Sequence, residues 1–155
     1  MDWKENINRL DLADSSTHFE FNNPASENIF QNLQSQLDLI ELPSELEDLY
    51  KQSNGISRHF KGQKIGELIW TAEEVIEVNK EYRSDPQYKE LYMSFNQLLF
   101  ISDAGNGDLF GFVSLNGKFD RSDIFVWNHE NDSRIWIAPN LTKFMEYYAN
   151  ETIYS

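Results

Sequence analysis

The chain has 155 residues, enough for a single domain with its own core, and its apolar content of 40% excludes a disordered chain. It has no cysteine for disulfides, no signal peptide and no apolar run of roughly 18 residues, so we expect a cytoplasmic protein that does not cross a membrane. Its 26 acidic against 13 basic side chains give a formal net charge of −13, which repels nucleic acid and anionic membranes and attracts basic partners.

The first half of the chain predicts three helices. Asp2 has the residue type of an N-cap for a first helix, in which apolar residues recur with helical spacing. After a short alternating stretch at residues 18–21, the dipeptide Asn23-Pro24 is typical of an N-cap and first helical position, so we expect the second helix to begin there. The third helix is expected to open at Pro43 and to end at Asn54-Gly55, because glycine readily adopts the left-handed conformation that ends helices.

The second half predicts a sheet built from hairpins. Residues 65–70 are typical of a strand, and Thr71 and Glu74 form a capping box that begins the next helix. Asn116-Gly117 indicates a type I′ turn, which needs positive φ at both positions. A last helix, with apolar residues at helical spacing, follows Asn140. Apolar runs bounded by polar turns predict further strands at residues 98–101, 109–115, 124–127 and 134–137.

This order of elements predicts the fold class. Helices come first, hairpin strands follow and a helix comes last, which is typical of an α+β protein. We expect a single domain over residues 1–155, with a central, mainly antiparallel sheet flanked by the N-terminal helices and the C-terminal helix. The sequence shows no internal repeat and no linker, and it makes no prediction about the oligomeric state.

Gly105, Gly107 and Gly111 approximate a dinucleotide-binding fingerprint. The third glycine comes one residue late, and a predicted strand follows where the fingerprint needs a helix N-terminus to hold a pyrophosphate. Two aspartates, Asp103 and Asp108, lie among these glycines and would repel phosphate. We therefore interpret this segment, called the glycine turn here (residues 103–111), as a tight turn or bulge in which glycine permits unusual φ angles.

Carboxylates are plentiful, but motifs for metal binding or acid–base catalysis are few. The glycine turn fails the spacing of a calcium-binding EF-hand loop, because glycines stand where oxygen ligands are needed. His129-Glu130 offers one half of a zinc or acid–base site, and the other two histidines lie far away in sequence, although such residues can converge in a fold. We predict no catalytic residue, no metal and no cofactor. A metal-dependent hydrolase stays open as an alternative, with the candidate ligands Asp103, Asp108, His129 and Glu130.

Trp70, Trp127 and Trp136 lie beside predicted strands. One interpretation is that all three pack in the core. The other is that one of them lies partly exposed as an interface anchor, since tryptophan is enriched among the residues that carry most of the binding energy in protein complexes. The sequence leaves both interpretations open.

Five segments occur in an order that resembles a known family. They are Leu42-Pro-Ser-Glu-Leu-Glu-Asp-Leu-Tyr50 with Asn54-Gly55, Ile69-Trp70 before a Glu-rich helix, Phe100-Ile-Ser-Asp-Ala-Gly-Asn-Gly-Asp-Leu-Phe-Gly-Phe112, Ile124-Phe-Val-Trp-Asn-His-Glu130 and Leu141-Thr-Lys-Phe-Met-Glu-Tyr-Tyr148. In this order they resemble the SUKH superfamily, also called the Smi/Knr family after fungal regulators of cell-wall synthesis. The resemblance is strongest over residues 41–148. The residues that match the family's motifs most clearly are Gly105, Gly107, Gly111, Trp127, His129 and Glu130.

The resemblance implies an α+β domain that acts by binding. Small bacterial members look like immunity proteins, which are encoded beside polymorphic or contact-dependent toxins, often nucleases, and neutralise them by direct contact. No catalytic residues carry over from the family. We therefore expect an immunity protein, not an enzyme, whose partner is a cognate toxin domain with a basic surface. The alternative is a cytosolic adaptor or scaffold, as the fungal relatives imply.

The distribution of charge predicts where such a toxin would bind. Residues 1–50 hold eleven acids and two bases, and no Lys or Arg occurs in residues 10–50. A nuclease must present a basic surface to reach phosphates, and an acidic protein can occupy that surface. The acids expected to contact the toxin are first Asp38, Glu41, Glu45, Glu47 and Asp48, and second Asp103 and Asp108 in the glycine turn.

Overall fold

The structure is a computed structural model, and it describes residues 1–10 and 12–153. Six helices and seven strands occur in these ranges, and they confirm the predicted α+β class. The helices are α1 Trp3–Asn8, α2 Glu27–Gln36, α3 Ser44–Gln52, α4 Ala72–Ser84, α5 Pro86–Leu91 and α6 Leu141–Ala149. The strands are β1 Thr17–Phe21, β2 Ile56–Phe60, β3 Gln63–Ile69, β4 Leu98–Asp103, β5 Leu109–Val113, β6 Ile124–Trp127 and β7 Arg134–Ala138. No helix within these ranges has the length and apolar character needed to cross a bilayer.

The strands of the described ranges divide into two antiparallel sheets. The first contains β1, β2 and β3 in that order, and the second contains β4, β5, β6 and β7 in that order. The antiparallel prediction is therefore confirmed, with the strands shared between two sheets instead of one. The sheets meet at the end of β3, where the Trp70 N–H donates to the carbonyl of Ile101 in β4 at 2.9 Å.

A buried asparagine satisfies the main chain of β4 on the side away from β5. Asn79 in α4 is 1% exposed; its Oδ1 accepts from the Phe100 N–H at 2.8 Å, and its Nδ2 donates to the Phe100 carbonyl at 2.8 Å. The same Nδ2 donates to the carbonyl of Val75, one turn earlier in α4, at 2.7 Å. Because buried main-chain groups need partners, Asn79 takes the position of a neighbouring strand and fixes α4 against the second sheet.

The hydrophobic core joins the helices to both sheets. α2 packs on α4, α4 on β4 and α6 on β7, and Leu33 and Phe144 are fully buried on the inner faces of α2 and α6. The Trp127 ring of β6 makes edge-to-face contacts with Tyr92 and Phe95, in each case with ring centroids 5.1 Å apart. Such aromatic pairs add stability beyond area burial, so this cluster holds the chain that follows α5 against the second sheet.

Local signals at helix ends and turns are confirmed. The side chains of Asp2 and Asn140 each accept from a backbone amide three residues later, at the starts of α1 and α6. Thr71 and Glu74 form the predicted capping box of α4. Residues 116–117 have φ angles of 53° and 79°, as a type I′ turn requires. Each of these features depends on residues close in sequence.

The predicted start of the second helix is wrong. α2 begins at Glu27, three residues later than the Asn-Pro dipeptide predicts. The Asn23 carbonyl accepts from the Asn54 N–H at 2.8 Å, and the Ala25 N–H donates to the carbonyl of Tyr50 at 2.9 Å. These bonds hold the segment before α2 along the end of α3, so the helix begins only after they have been made.

The third helix follows Pro43 as predicted and ends at Gln52. Gly55 has the expected positive φ, 84°, but it lies beyond the helix end, where the chain passes close to β3. A Cβ at this position would lie 2.9 Å from the Ile69 carbonyl oxygen. Glycine is therefore required here by the close approach to β3 as well as by the φ angle.

Asn79→Ala should lower the free energy of unfolding by about 2–4 kcal/mol, because it leaves the buried N–H and C=O of Phe100 without partners. Urea unfolding followed by circular dichroism measures this difference. Glu81→Ala, at an exposed position of the same helix, is the control and should change the free energy by less than about 0.5 kcal/mol. Equal effects of the two substitutions would contradict the role given to Asn79.

Candidate protein-binding surface

The glycine turn meets the Trp-Asn-His-Glu segment (residues 127–130) in space. Asp108 is 4% exposed, and its Oδ1 lies 2.6 Å from Nδ1 of His129 and 3.1 Å from the His129 backbone nitrogen. Because an ionised carboxylate only accepts, Nδ1 of the imidazole carries the proton. Gly107, with a φ of 106°, lies against the ring, and a Cβ there would be 2.9 Å from the ring atoms. Two segments that resemble family motifs are therefore joined through His129.

The three glycines of the turn are needed for different reasons. Gly105 and Gly107 have φ angles of 84° and 106°, which confirms the interpretation as a tight turn. Gly111 is needed for space, because a Cβ there would lie 2.3 Å from the Leu99 carbonyl oxygen where β5 pairs with β4. A β-bulge in β4 lies beside this pair. The segment is thus a bulged hairpin connection, and β5, not a helix, follows it.

The three buried tryptophans of the described residues each donate the indole N–H to an aspartate. The pairs are Trp3 with Asp48 at 2.9 Å, Trp70 with Asp103 at 2.8 Å and Trp127 with Asp132 at 2.7 Å. A buried indole N–H needs an acceptor, and a carboxylate is a strong one. Asp48 and Asp103, two of the acids expected to contact a partner, therefore also hold tryptophans in place.

Acids of residues 38–48 attach this segment to the C-terminal half of the chain. Glu45 accepts from the Leu141 N–H at 3.1 Å, which places a carboxylate at the positive end of α6. Glu41 accepts from the Phe119 N–H at 2.9 Å. Glu47 pairs with a lysine one turn later in α3 at 3.7 Å. Glu41 and Glu45 therefore attach the segment to the C-terminal half, whereas the pair of Glu47 lies within α3.

Residues 38–41 lie on the turn at Asn116-Gly117. The Gly117 carbonyl accepts from the Ile40 N–H at 2.8 Å, and a Cβ on Gly117 would lie 2.8 Å from the Asp38 carbonyl oxygen. The side chains of Asp38 and Ile40 nevertheless remain exposed. The acidic segment and the hairpin turn therefore form one continuous surface.

An apolar strip lies beside this turn on the second sheet. Trp136 in β7 is 49% exposed, and its cross-strand neighbour is Phe125 in β6. Trp136 is thus the partly exposed one of the three tryptophans for which the sequence left two interpretations open. Together with Val113 and Leu115, these side chains line a cleft of about 370 Å³. The charged residues that line the same cleft are Lys118, Asp120, Arg121 and Asp123, of which the last two form an ion pair at 2.5 Å.

We call this combined region the hairpin surface. It consists of Asp38, Ile40, Glu41, Val113, Leu115, Asp120, Phe125 and Trp136. Its centre is apolar and its edge carries three acids, while the bases Lys118 and Arg121 line the same cleft. Protein interfaces have this composition, with aromatic anchors at the centre and a polar rim around them. The arrangement therefore fits the binding of another protein.

The candidate metal ligands of the glycine turn have other partners. Both oxygens of Asp103 accept hydrogen bonds, one from the Trp70 indole and one from the Gly105 N–H at 3.0 Å, and Asp108 faces His129. Within residues 1–10 and 12–153, one group of three His, Asp or Glu side chains has its ligand atoms within 4.8 Å of one another. It lies in the first sheet and consists of His18, Glu20 and His59.

Asp132 fixes the turn between β6 and β7 to the aromatic cluster. Its Oδ1 accepts from the Trp127 indole and from Arg134 at 3.1 Å, and its Oδ2 accepts from the Met93 N–H at 2.9 Å. Burial alone would raise the pKa of Asp132, but these hydrogen bonds outweigh burial and lower the pKa below its ordinary value. Sequence reasoning missed Asp132, because an acid in a polar turn carries no signal of distant partners.

The chain is similar to a family of known proteins. A family model described as SMI1 / KNR4 family (SUKH-1) matches residues 24–147. The match includes the glycine turn, residues 127–130 and all of the hairpin surface, but it does not include β1. No curated protein matches the chain.

Gly111→Ala should lower the free energy of unfolding by about 3 kcal/mol, because the added methyl group would collide with the main chain of β4. Gly105→Ala is the matched control. It has a positive φ but no atom within 4 Å of its Cβ position, so we expect a loss of about 1–2 kcal/mol from backbone strain alone. Denaturant unfolding of both variants measures the difference. A larger effect at Gly105 than at Gly111 would contradict the close approach of β5 to β4.

The acid sensitivity of the fold should depend on Asp132. A carboxyl group whose pKa is lower in the folded chain stabilises the fold fully above about pH 5, and this contribution is lost as pH falls from about 4 through the folded pKa. Asp132→Asn should therefore be less stable than the parent at about pH 7 and approach it at about pH 3. Urea unfolding of the parent and of Asp132→Asn across this pH range measures the two free energies of unfolding.

Glu130→Gln, an exposed position two residues away, is the control because it removes one carboxylate and leaves the bonds of Asp132 in place; at about pH 7 it should differ from the parent by less than about 0.5 kcal/mol. A constant difference between the parent and Asp132→Asn across the range would show that ionisation of Asp132 does not stabilise the fold.

Proposed function

Because the chain belongs to the SMI1 / KNR4 family (SUKH-1), we propose that it is an immunity protein that binds and neutralises a cognate toxin. The proposed action is stoichiometric: one chain covers the functional surface of one toxin domain, and no covalent bond is made or broken. A nuclease is the toxin class that fits best. Such an enzyme presents a basic surface to phosphates, and the net charge of this chain is −13.

The observation that carries this proposal is the hairpin surface. Trp136 and Leu115, 49% and 56% exposed, lie in its apolar centre, and exposed acids lie at its edge. In a complex the apolar side chains would lose their contact with water against the toxin, and the acids would pair with lysine and arginine at the rim. Tryptophan is among the residues that most often carry the binding energy of such interfaces.

Charge contributes mainly to the speed of capture. Complementary charge steers two proteins together and raises association rates toward about 10⁸–10⁹ M⁻¹s⁻¹ at low salt. A high rate suits an immunity protein, because the toxin must be bound before it reaches its substrate. Ion pairs at the rim are screened by salt, so a fall in association rate with rising salt is the expected signature.

Four of the five acids predicted at residues 38–48 divide into two groups under this proposal. Asp38 and Glu41 belong to the exposed hairpin surface and would contact the toxin, and one oxygen of Glu41 also accepts from the Phe119 N–H. Glu45 and Asp48 accept hydrogen bonds from α6 and from Trp3, so they would mainly support the surface from within the fold. Contact is thus expected at one end of residues 38–48, not along the whole segment.

Co-expression tests the proposed function. A toxin domain encoded beside the gene for this chain should stop growth when expressed alone, and this chain should restore growth. The purified proteins should form a one-to-one complex that weakens as salt rises. Rescue without a complex, or a complex without rescue, would contradict stoichiometric neutralisation and favour the adaptor alternative.

Trp136→Ala should weaken toxin binding by about 2 kcal/mol, roughly 30-fold, because it removes the aromatic anchor of the hairpin surface. Surface plasmon resonance measures the affinity and its two rate constants. The loss is expected in faster dissociation, since truncation of a central anchor leaves the diffusional encounter unchanged. An unchanged dissociation rate of the variant would show that Trp136 does not lie in the interface.

The double variant Asp38→Asn, Glu41→Gln should mainly lower the association rate and its dependence on salt. Glu27→Gln with Glu77→Gln, two exposed positions on α2 and α4, removes the same charge outside the hairpin surface and is the matched control. Equal losses in the two double variants would show that net charge, and not the hairpin surface, governs binding.

A further inference from the structure

Two of the three histidines of the chain lie side by side in the first sheet. His18 in β1 is directly opposite His59 in β2, and Glu20 is two residues further along β1. Because alternate residues of a strand share a face, His18 and Glu20 point the same way, while Phe19 between them packs against the core. Three side chains with metal-binding atoms therefore face outward together from two paired strands.

The two imidazoles converge on the Glu20 carboxylate. Nε2 of His18 lies 3.3 Å from Oε1, and Nε2 of His59 lies 3.2 Å from Oε2. The rings are stacked with centroids 5.0 Å apart, and the three ligand atoms all lie within 4.8 Å of one another. Imidazole nitrogens and carboxylate oxygens are ligands that zinc takes in proteins, including sites with two histidines and one glutamate.

These separations fit a tetrahedral zinc ion. With Zn–N and Zn–O bonds of about 2.0–2.2 Å, neighbouring ligand atoms of a tetrahedron lie about 3.3–3.6 Å apart. The two nitrogen–oxygen separations, 3.3 and 3.2 Å, are close to this range but involve different oxygens of Glu20. Rotation of the carboxylate and of the imidazole rings must therefore bring both nitrogens around one oxygen. We propose that His18, Glu20 and His59 bind Zn²⁺, with a fourth coordination position open to water or to a ligand atom of a partner.

The surroundings allow a cation to enter at this position. Lys64 in β3 pairs with His59 in the sheet register, but its ammonium group is bound to Glu67 at 2.6 Å. The Ser57 hydroxyl lies 3.0 Å from Nε2 of His59 and must turn away when that nitrogen binds a metal. The side chains of the other two ligands are about half exposed, so an ion reaches them without unfolding of the sheet.

This site is distinct from the hairpin surface. His18 and Glu20 precede residue 24, where the family match begins, and the three ligands belong to the first sheet, not the second. A bound ion would link β1 to β2 and stabilise the folded chain, because the ligands are brought together only by folding. The inference does not depend on toxin binding, so its failure would leave the proposed function untouched.

Titration of Zn²⁺ into the untagged chain, after treatment with a chelator, tests the proposal by calorimetry. We expect saturable binding of one ion per chain, and with Co²⁺ the strong visible absorption of a tetrahedral site. His18→Ala should weaken Zn²⁺ binding more than about 100-fold, since loss of even an outer partner of a metal ligand costs roughly 10–100-fold. Glu20→Gln should also weaken it, whereas Glu27→Gln, an exposed acid outside the site, should bind like the parent.

His18 is exposed, so its substitution is expected to leave the fold intact, which circular dichroism verifies. Absence of saturable binding to the parent chain would overturn the proposal. Binding that persists in both His18→Ala and Glu20→Gln would show an adventitious ion only, held elsewhere on the acidic surface, and would overturn it equally.

Discussion

The hydrogen bonds between the Asn79 amide and the main chain of Phe100 determine where the second sheet lies against the helices. Without them, the buried N–H and C=O of Phe100, on the side of β4 away from β5, would lack partners. Unpaired buried polar groups are among the more costly defects of a core. Asn79 also binds the carbonyl of Val75 in its own helix, so the side chain has little freedom to move. β4 leads directly into the glycine turn and pairs with β5, so these elements take their positions from a contact made deep in the core.

Not every acid of this chain is available to a partner, because several carboxylates accept hydrogen bonds within the fold. Asp48 and Asp103 accept hydrogen bonds from buried indoles, and Glu45 accepts from the first amide of α6. Hydrogen bonds to an ionised acceptor are stronger than neutral ones, so these carboxylates contribute to stability as well as to charge. Asp38 and Glu41 are more exposed and lie at the turn at Asn116-Gly117, which leads into the cleft lined by Trp136. The sequence identified the acidic segment, but only the fold shows which acids hold other parts of the chain and which are exposed, and Glu41 does both.

Features that depend on neighbours in sequence were predictable, and features that depend on distant contacts were not. Helix caps such as Thr71 act within three residues, so the sequence displays them. β2 was missed because residues 57–59 are Ser-Arg-His; it forms because β1 and β3 pair with it on both sides. Asn79 is an ordinary polar residue until the fold places Phe100 beside it. The approach of His18 to His59 is likewise set by strand register, which their separation in sequence does not reveal.

β7 is an edge strand with exposed apolar side chains. It is the last strand of the second sheet, and both Ile135 and Trp136 are exposed along it. An apolar edge strand of this kind favours association with another copy of the same chain. Two copies that each carry a net charge of −13 repel one another, whereas a basic protein is attracted. The surplus of carboxylates therefore opposes pairing of β7 with a second copy of the chain and does not oppose pairing with a basic protein.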